Sequence, residues 1–164
     1  SKPLVMAVQG FCYTAGVEML LNTDIRVAAE NTEFSQMEVR RGLYACGGAT
    51  MRLQRELGWA NAQRYLMTGD SWSASEAYRM GMVQELCAEG EQLNRAMGIA
   101  ERIASAAPLG VQGSLRSSKL ARDEGEAAAL DRLFADLKPV MESDDVKEGI
   151  QSFIERREAR FVGR

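Results

Sequence analysis

The stretch that most constrains the fold is an apolar run followed at once by a glycine turn and a change of hydrophobic period. Residues 4–8 are apolar, continuous and bounded by Pro3 and Gly10, which predicts a buried strand. After Gly10 the apolar residues recur at helical spacing as far as Asp24. The first N–H groups of that predicted helix have no partner within it, so they suit an anion or a carbonyl oxygen that gains negative charge.

The composition excludes several kinds of site and partner. The chain has 164 residues, a formal net charge of −3 and no histidine. Without histidine, neither a His-containing metal site nor a Ser–His relay can form, so acid–base chemistry must use carboxylates, Tyr, Lys or Cys. The charge balance gives no basic surface for nucleic acid, and no apolar stretch approaches the length of a membrane span. The length predicts one domain.

The cysteines indicate the redox environment. Cys12, Cys46 and Cys87 are odd in number and have no CxxC spacing. This pattern predicts free thiols in a reducing cytoplasm.

Two acidic residues are candidates for proton transfer. Glu18 lies about one turn into the predicted helix, where the helix dipole also favours a carboxylate that has no catalytic role. Glu38 follows a second short extended segment, residues 32–35. Its alternative role is that of an exposed acid paired with Arg40 or Arg41. From the residues alone, both acids stay open between catalysis and an ordinary surface position.

The order and spacing of short motifs resemble the crotonase (enoyl-CoA hydratase/isomerase) superfamily along nearly the whole chain. The spacing from Glu18 to Glu38 agrees with that of the two catalytic glutamates in family hydratases. In chain order, the motifs that carry the resemblance are Gly10, Ala15-Gly16, Glu18, Asp24, Glu38, Gly42, Gly47-Gly48, Thr50-Met51-Arg52-Leu53, Thr68-Gly69-Asp70, Ala74-Ser75-Glu76-Ala77, Gly81-Met82-Val83 and Glu148-Gly149-Ile150-Gln151-Ser152-Phe153.

The resemblance implies an α/β fold, the crotonase-like (ClpP/crotonase) spiral of ββα units, of which this chain holds only the later turns. Residues 1–104 would form the later part of the core, and residues 105–164 a helical C-terminal trimerisation region. Family members carry several ββα turns before the position of Ser1, including one of two oxyanion-hole amides. We therefore expect the N-terminal part of the core to be absent from this chain, and the complete protein to be a homotrimer or hexamer.

The resemblance also implies an acyl-CoA thioester substrate, with coenzyme A carried by the substrate and no other cofactor or metal. The Ala15 amide would be one of the two backbone donors to the thioester oxygen. Glu18 and Glu38 would flank a water, one taking a proton as the water attacks C3 and the other delivering a proton to C2. Two acids favour an enoyl-CoA hydratase of fatty acid metabolism. An isomerase, another crotonase-type lyase or hydrolase, and a non-catalytic assembly module stay open.

Three further residues match substrate-binding positions of the family. Cys46 replaces a glycine beside the catalytic water, which would narrow or re-aim the pocket and suggests an altered acyl substrate. Its alternative is a buried small hydrophobe. Phe153 and Arg156 match positions that reach the adenine and 3′-phosphate of CoA, often of a neighbouring subunit. Their alternative is a helix face with a core Phe and a solvated Arg.

Caps and helix breakers predict the ends of several later helices. Ser73 followed by Glu76 predicts a capping box for a helix over residues 74–80. A helix is predicted over residues 124–141, and Pro139 is expected to interrupt or end it. A last helix is expected over residues 144–160.

Overall fold

The computed structural model describes residues 2–164 as an α/β protein of short strands and helices. The strands are β1 (Val5–Val8), β2 (Phe11–Tyr13), β3 (Ile25–Ala29), β4 (Glu33–Ser35), β5 (Ser71–Ser73) and β6 (Glu85–Cys87). The helices are α1 (Ala15–Leu20), α2 (Ala49–Leu57), α3 (Trp59–Thr68), α4 (Ala74–Arg79), α5 (Gln92–Ser105), α6 (Pro108–Glu124), α7 (Glu126–Met141) and α8 (Asp144–Glu155). A single 3₁₀ turn, Glu38–Arg41, is called η1 below.

The strands form two three-stranded sheets. The first has the order β1-β3-β6 and is parallel throughout, with Val5 opposite Ile25 and Val27 opposite Glu85. Parallel neighbours require crossover connections, which the intervening helices supply. In the second sheet, β4 lies between β2, which is parallel to it, and β5, which is antiparallel. Twice in succession, the chain passes through one strand of the first sheet and one strand of the second and then enters helical structure. This is the ββα order.

The chain divides into two compact units, Leu4–Ile99 and a second that contains Ala100–Arg164. The first unit has one main apolar core, to which both sheets and the first four helices contribute. Its largest fully buried apolar side chains are Val17, Leu20, Phe34, Leu53 and Met82. Each such side chain contributes about 1.5–3 kcal/mol when it leaves water, so this core is the main source of the unit's stability.

The second unit is helical, with α6 and α7 packed as a hairpin. Ser143 caps α8 by accepting a hydrogen bond from the Val146 amide at 3.3 Å. The C-terminal tail returns to the same end of α8, because the buried Asp145 carboxylate accepts from the amides of Val162 and Gly163 at 2.7 and 2.9 Å. Polar contacts to backbone thus fix the tail on the helix.

The expected boundary at residues 104 and 105 and the trimer contact of residues 105–164 stay predictions. No helix within residues 2–164 combines the length and apolarity needed to cross a bilayer.

Several elements differ from the sequence prediction. The residues after Gly10 form β2 before the helix begins, because Phe11, Cys12 and Tyr13 favour a strand and pair with β4. The helix is consequently only six residues long.

The predicted capping box is half present. The Ser73 hydroxyl accepts from the Glu76 amide at 3.2 Å, but the Glu76 carboxylate pairs with Arg79 instead of returning to Ser73.

Of the two C-terminal helices, one ends as predicted and the other ends earlier. Helix α7 ends at Met141, the predicted residue, and continues through Pro139 in its last turn instead of stopping there. Helix α8 ends at Glu155 instead of residue 160, because Arg156 takes a left-handed conformation with φ of 53°.

Candidate active site

Glu18 is held by main-chain amides. It is the fourth residue of α1, and only 9% of its surface is exposed. Its Oε1 accepts hydrogen bonds from the amides of Gly47 and Ala49, at 2.6 and 3.1 Å. These amides end a glycine-rich loop and begin α2, so the carboxylate lies at the positive end of a helix. The structure thus places Glu18 at a built site and not on a solvated surface.

Gly47 allows this contact because it has no side chain. A Cβ at this position would overlap the Glu18 carboxylate and lie 2.7 Å from its carboxyl carbon. The other side of the same residue is also fixed, since the Gly47 carbonyl accepts from Arg52 Nη1 at 3.0 Å. The Gly47 backbone is therefore hydrogen-bonded twice, through its amide to Glu18 and through its carbonyl to Arg52.

The amide of Ala15 is the first of α1 and its residue is exposed. An amide in this position has no carbonyl within the helix to which it could donate. The carbonyl of the same peptide, that of Thr14, accepts from the Glu18 amide at 3.0 Å. Because the N–H and C=O of a trans peptide point in opposite directions, the Ala15 N–H points away from that bond. It is thus oriented as a donor to an external oxygen.

The turn before Ala15 is strained. Thr14 has φ of 46°, a region that β-branched residues seldom occupy. Its amide is anchored by donation to the Ser35 carbonyl at 2.8 Å. A conformation of this kind costs about 1–3 kcal/mol and persists where the surroundings impose it, which is common at functional sites.

Glu38 begins η1 and is half-buried. The terminal amide of Gln36 lies between the Glu38 carboxylate and the Thr14 carbonyl. With Nε2 toward Glu38, the amide donates to both carboxylate oxygens, at 2.8 and 2.9 Å. One amide group therefore separates Glu38 from the peptide that carries the Ala15 N–H.

Ala15 and Glu18 thus lie on the same helix, and the Gln36 amide lies between Glu38 and the Thr14–Ala15 peptide. Their catalytic roles stay predictions. The alternative in which Glu38 pairs with a neighbouring arginine is not what the structure shows. Arg40 instead pairs with Asp70, and Arg41 donates to the Arg40 carbonyl.

Cys46 is exposed and directly precedes Gly47 in the loop. The alternative of a buried small hydrophobe is therefore wrong for this residue. Its position beside the Glu18 contact is compatible with the predicted substrate-binding role, which stays a prediction.

Two other ionisable groups near the site are held in their protonated forms. Burial raises the pKa of Cys12 to about 11. The hydroxyl of Tyr13 donates to the Glu33 carboxylate, and this hydrogen bond raises its pKa. Neither group is then available as a base at neutral pH. Among residues 2–164, no three His, Cys, Asp or Glu side chains are grouped so as to hold a metal ion.

Phe153 and Arg156 lie in the second unit, at the end of α8. Phe153 is 85% exposed, so the alternative of a core phenylalanine is wrong, and Arg156 is exposed as well. Their predicted contact with CoA stays a prediction.

Sequence reasoning missed Gln36 as a partner of Glu38. Gln36 is 1% exposed and polar, two residues before Glu38. A buried polar side chain needs a partner, but the burial of Gln36 depends on tertiary packing and could not be read from the sequence.

Comparison with known proteins places this geometry in a family. The family model for enoyl-CoA hydratase/isomerase matches residues 1–164. Enoyl-CoA hydratase EchA19 of Mycobacterium tuberculosis is 38% identical over 166 residues, covering 100% of this chain and 62% of the relative. Crotonyl-CoA hydratase of Syntrophomonas wolfei is 37% identical, covering 99% of this chain and 63% of the relative.

Solved structures agree. A probable enoyl-CoA hydratase/isomerase from Mycobacterium abscessus is 47% identical with a TM-score of 0.97, and an enoyl-CoA hydratase from Bacillus anthracis is 28% identical with a TM-score of 0.96. Each match covers 99% of this chain and 63% of the solved chain. The chain thus spans about five-eighths of the length of these relatives. It has the crotonase fold and belongs to the enoyl-CoA hydratase/isomerase family.

Proposed function

We propose that the protein adds water to a 2-enoyl-CoA thioester. The observation that supports this proposal is that one side-chain amide, that of Gln36, separates the Glu38 carboxylate from the peptide that carries the Ala15 N–H, at the start of the helix that also holds Glu18. Relatives that are named enoyl-CoA and crotonyl-CoA hydratases match along the whole chain and support the reaction class.

The site residues have distinct roles in this reaction. The Ala15 N–H donates to the thioester oxygen, which gains negative charge when the enolate forms. A water lies between the carboxylates; its oxygen bonds to C3 while one carboxylate takes its proton. The other carboxylate, as the acid, gives a proton to C2. The elements of one water are thus added across the double bond.

Replacing each acid tests the proposal. Glu18→Gln and Glu38→Gln keep the side-chain size but cannot exchange a proton, so each should lower kcat for crotonyl-CoA hydration by about 10²–10⁴-fold. The natural protein should be assayed with whatever segments accompany this chain. The matched control is Glu89→Gln, which changes an exposed acid in the turn after β6 and should retain full activity.

The same variants separate the alternative functions. An isomerase would shift a 3-enoyl-CoA double bond with only one of the two acids required. If both variants hydrate crotonyl-CoA as fast as the unmodified protein, paired-acid hydration is wrong, and oligomers that still form would favour an assembly module.

Coenzyme A is proposed to contact the end of α8. The support is an exposed aromatic ring, Phe153, next to the exposed guanidinium of Arg156, which suits an adenine and a phosphate. Cys46 is proposed to face the acyl group, since it adjoins the Gly47 contact to Glu18.

Removing the phosphate partner tests the CoA contact. Arg156→Gln should raise KM for crotonyl-CoA and leave KM for crotonyl-pantetheine, which lacks the 3′-phosphate, unchanged. Lys147→Gln, in the first turn of α8, is the control and should affect neither. An equal change in both KM values would contradict the phosphate contact.

We also propose a trimer or hexamer in a reducing cytoplasm. The support for assembly is an exposed apolar stripe on α7, since such faces are normally covered. The exposed fractions are 58% for Leu130, 41% for Leu133, 80% for Phe134, 43% for Leu137 and 60% for Met141. Light scattering of Phe134→Glu should show a smaller oligomer. Arg132→Glu, on the other side of α7, should not change the mass. The three free cysteines support the reducing compartment.

A further inference from the structure

The segment that carries Glu38 is short and cannot hold its own conformation. It comprises residues 35–41, and its only helical part is the four-residue turn η1. Short 3₁₀ turns have poor hydrogen-bond geometry and depend on neighbouring structure. The position of the Glu38 carboxylate therefore depends on what anchors the two ends of this segment.

Its first end is anchored to the turn of residues 68–70, which joins α3 to β5. Ser35 pairs with Ser71 in the second sheet, and its hydroxyl donates to the Gly69 carbonyl at 3.3 Å. Ser35 is fully buried, so this contact is screened from water.

Its other end is anchored to the same turn by Arg40. The Arg40 Nε donates to the Thr68 carbonyl at 3.0 Å, and Nη2 donates to Asp70 Oδ1 at 2.5 Å. The side chain also packs on Gly69, where a Cβ would lie 3.0–3.3 Å from Arg40 Cγ, Nε and Cδ.

The turn is itself rigid. The Gly69 amide donates to the Tyr65 carbonyl at 2.9 Å, with Gly69 at φ of 68°, and the Asp70 amide donates to the Thr68 hydroxyl at 3.1 Å. Both ends of the Glu38 segment thus bind the turn that follows α3.

We propose that the turn of residues 68–70 is a brace for Glu38, and that Arg40 is a positioning residue for proton transfer. This inference rests on the proposed function. The Arg40 and Asp70 side chains are 52% and 50% exposed, so their ion pair adds little to global stability. Its effect is local: without it, η1 is attached at one end only, and the carboxylate spends less time in the reactive geometry.

Arg40→Met is the main test, assayed in the complete natural protein with crotonyl-CoA. Misplacing a catalytic group by a fraction of an ångström should lower kcat roughly 10-fold with KM unchanged. The matched control, Arg41→Met, removes an adjacent arginine of η1 that donates only to a neighbouring carbonyl, and it should keep full activity. Hydrogen exchange should quicken in Arg40→Met at the amides of Gly42 and Leu43, which bond within this segment.

A double variant separates positioning from a general structural defect. If Arg40 acts only through Glu38, Arg40→Met combined with Glu38→Gln should be no slower than Glu38→Gln alone. Asp70→Asn, which keeps the Arg40 bond to the Thr68 carbonyl, should give an intermediate loss of kcat. It replaces Arg40→Met as the test if that variant folds poorly.

The outcomes distinguish this brace from the proposed function. Normal kcat in Arg40→Met and Asp70→Asn, with Glu38→Gln inactive, would overturn the brace and leave the hydratase proposal intact. Additive losses in the double variant would also overturn the brace. Full activity of Glu38→Gln would overturn both proposals.

Discussion

Adding one methyl group at Gly47 should disable the site while the fold remains. In Gly47→Ala the new Cβ would lie 2.7 Å from the Glu18 carboxyl carbon, whereas ordinary contact begins at 3.4 Å. The carboxylate must then retreat by at least 0.7 Å, the difference between these two distances, because Glu18 Oε2 would lie closer to the new Cβ than the carboxyl carbon does. The displaced group is the end of a flexible side chain, and Gly47 does not have a positive φ, so the change is mild for the fold.

The expected loss follows from the bonds that the retreat breaks. Glu18 Oε1 would leave the amides of Gly47 and Ala49, which now lie at 2.6 and 3.1 Å. A displacement near 1 Å can cost about 10²-fold in rate, so kcat for crotonyl-CoA should fall by about that factor.

Steady-state kinetics and thermal unfolding, measured on the same preparations, test this reasoning. Gly113→Ala is the control, because a Cβ there meets open space within α6 and should raise stability by about 0.5–1 kcal/mol. If Gly47→Ala lowers the unfolding temperature no more than slightly and kcat stays within a factor of two, Glu18 is not held as described.

Three further predictions concern single groups. Two hydrogen bonds from Arg157 and one from the Arg160 amide lower the pKa of Glu148 from 4.5 to about 2. Because the pKa of Glu148 is lower in the folded state, its contribution to folding stability is complete above pH 4.5 and is lost as the pH falls toward 2. NMR titration of Glu148 should give a midpoint near pH 2, and a midpoint near 4.5 would contradict the ion pair with Arg157. In the folded 164-residue chain one thiol, that of Cys46, should react with DTNB, and three thiols should react in denaturant, because Cys12 and Cys87 are buried. More than one equivalent of thiol reacting in the folded chain would contradict that burial. Arg26→Met should destabilise by about 3–5 kcal/mol, because the buried guanidinium bonds three carbonyls and Glu56, and a denaturant midpoint close to that of the unmodified protein would show that these bonds are dispensable.

The sequence predicted the local elements well where a cap or glycine marks them. The strand predicted over residues 4–8 is β1 at Val5–Val8, and the Ser73 cap is present. Strand β2 was missed, because three residues carry no readable period and their pairing with β4 is a tertiary contact. For the same reason Glu38 could be found as a candidate acid while its brace could not, since Arg40 and Asp70 are thirty residues apart in the chain.

The two candidate acids are held by different groups, Glu18 by main-chain amides and Glu38 by a side-chain amide. Main-chain amides can only donate, so Glu18 Oε1 is fixed as an acceptor and a proton can be carried by Oε2 without breaking those bonds. Glu38 instead accepts hydrogen bonds from one side-chain amide, since Gln36 Nε2 lies 2.8 and 2.9 Å from its two carboxylate oxygens. Gln36 is 1% exposed, so this contact is screened from water.

The Gln36 amide is the side-chain partner that holds the Glu38 carboxylate. Gln36→Leu removes this partner and keeps the side-chain bulk, so kcat for crotonyl-CoA should fall by about 10-fold or more, because the carboxylate is then no longer held. Gln151→Leu, an exposed change in α8, is the control for the assay. A Gln36→Leu variant with unchanged kcat and an unchanged pH–rate profile would show that Glu38 exchanges its proton without help from the amide.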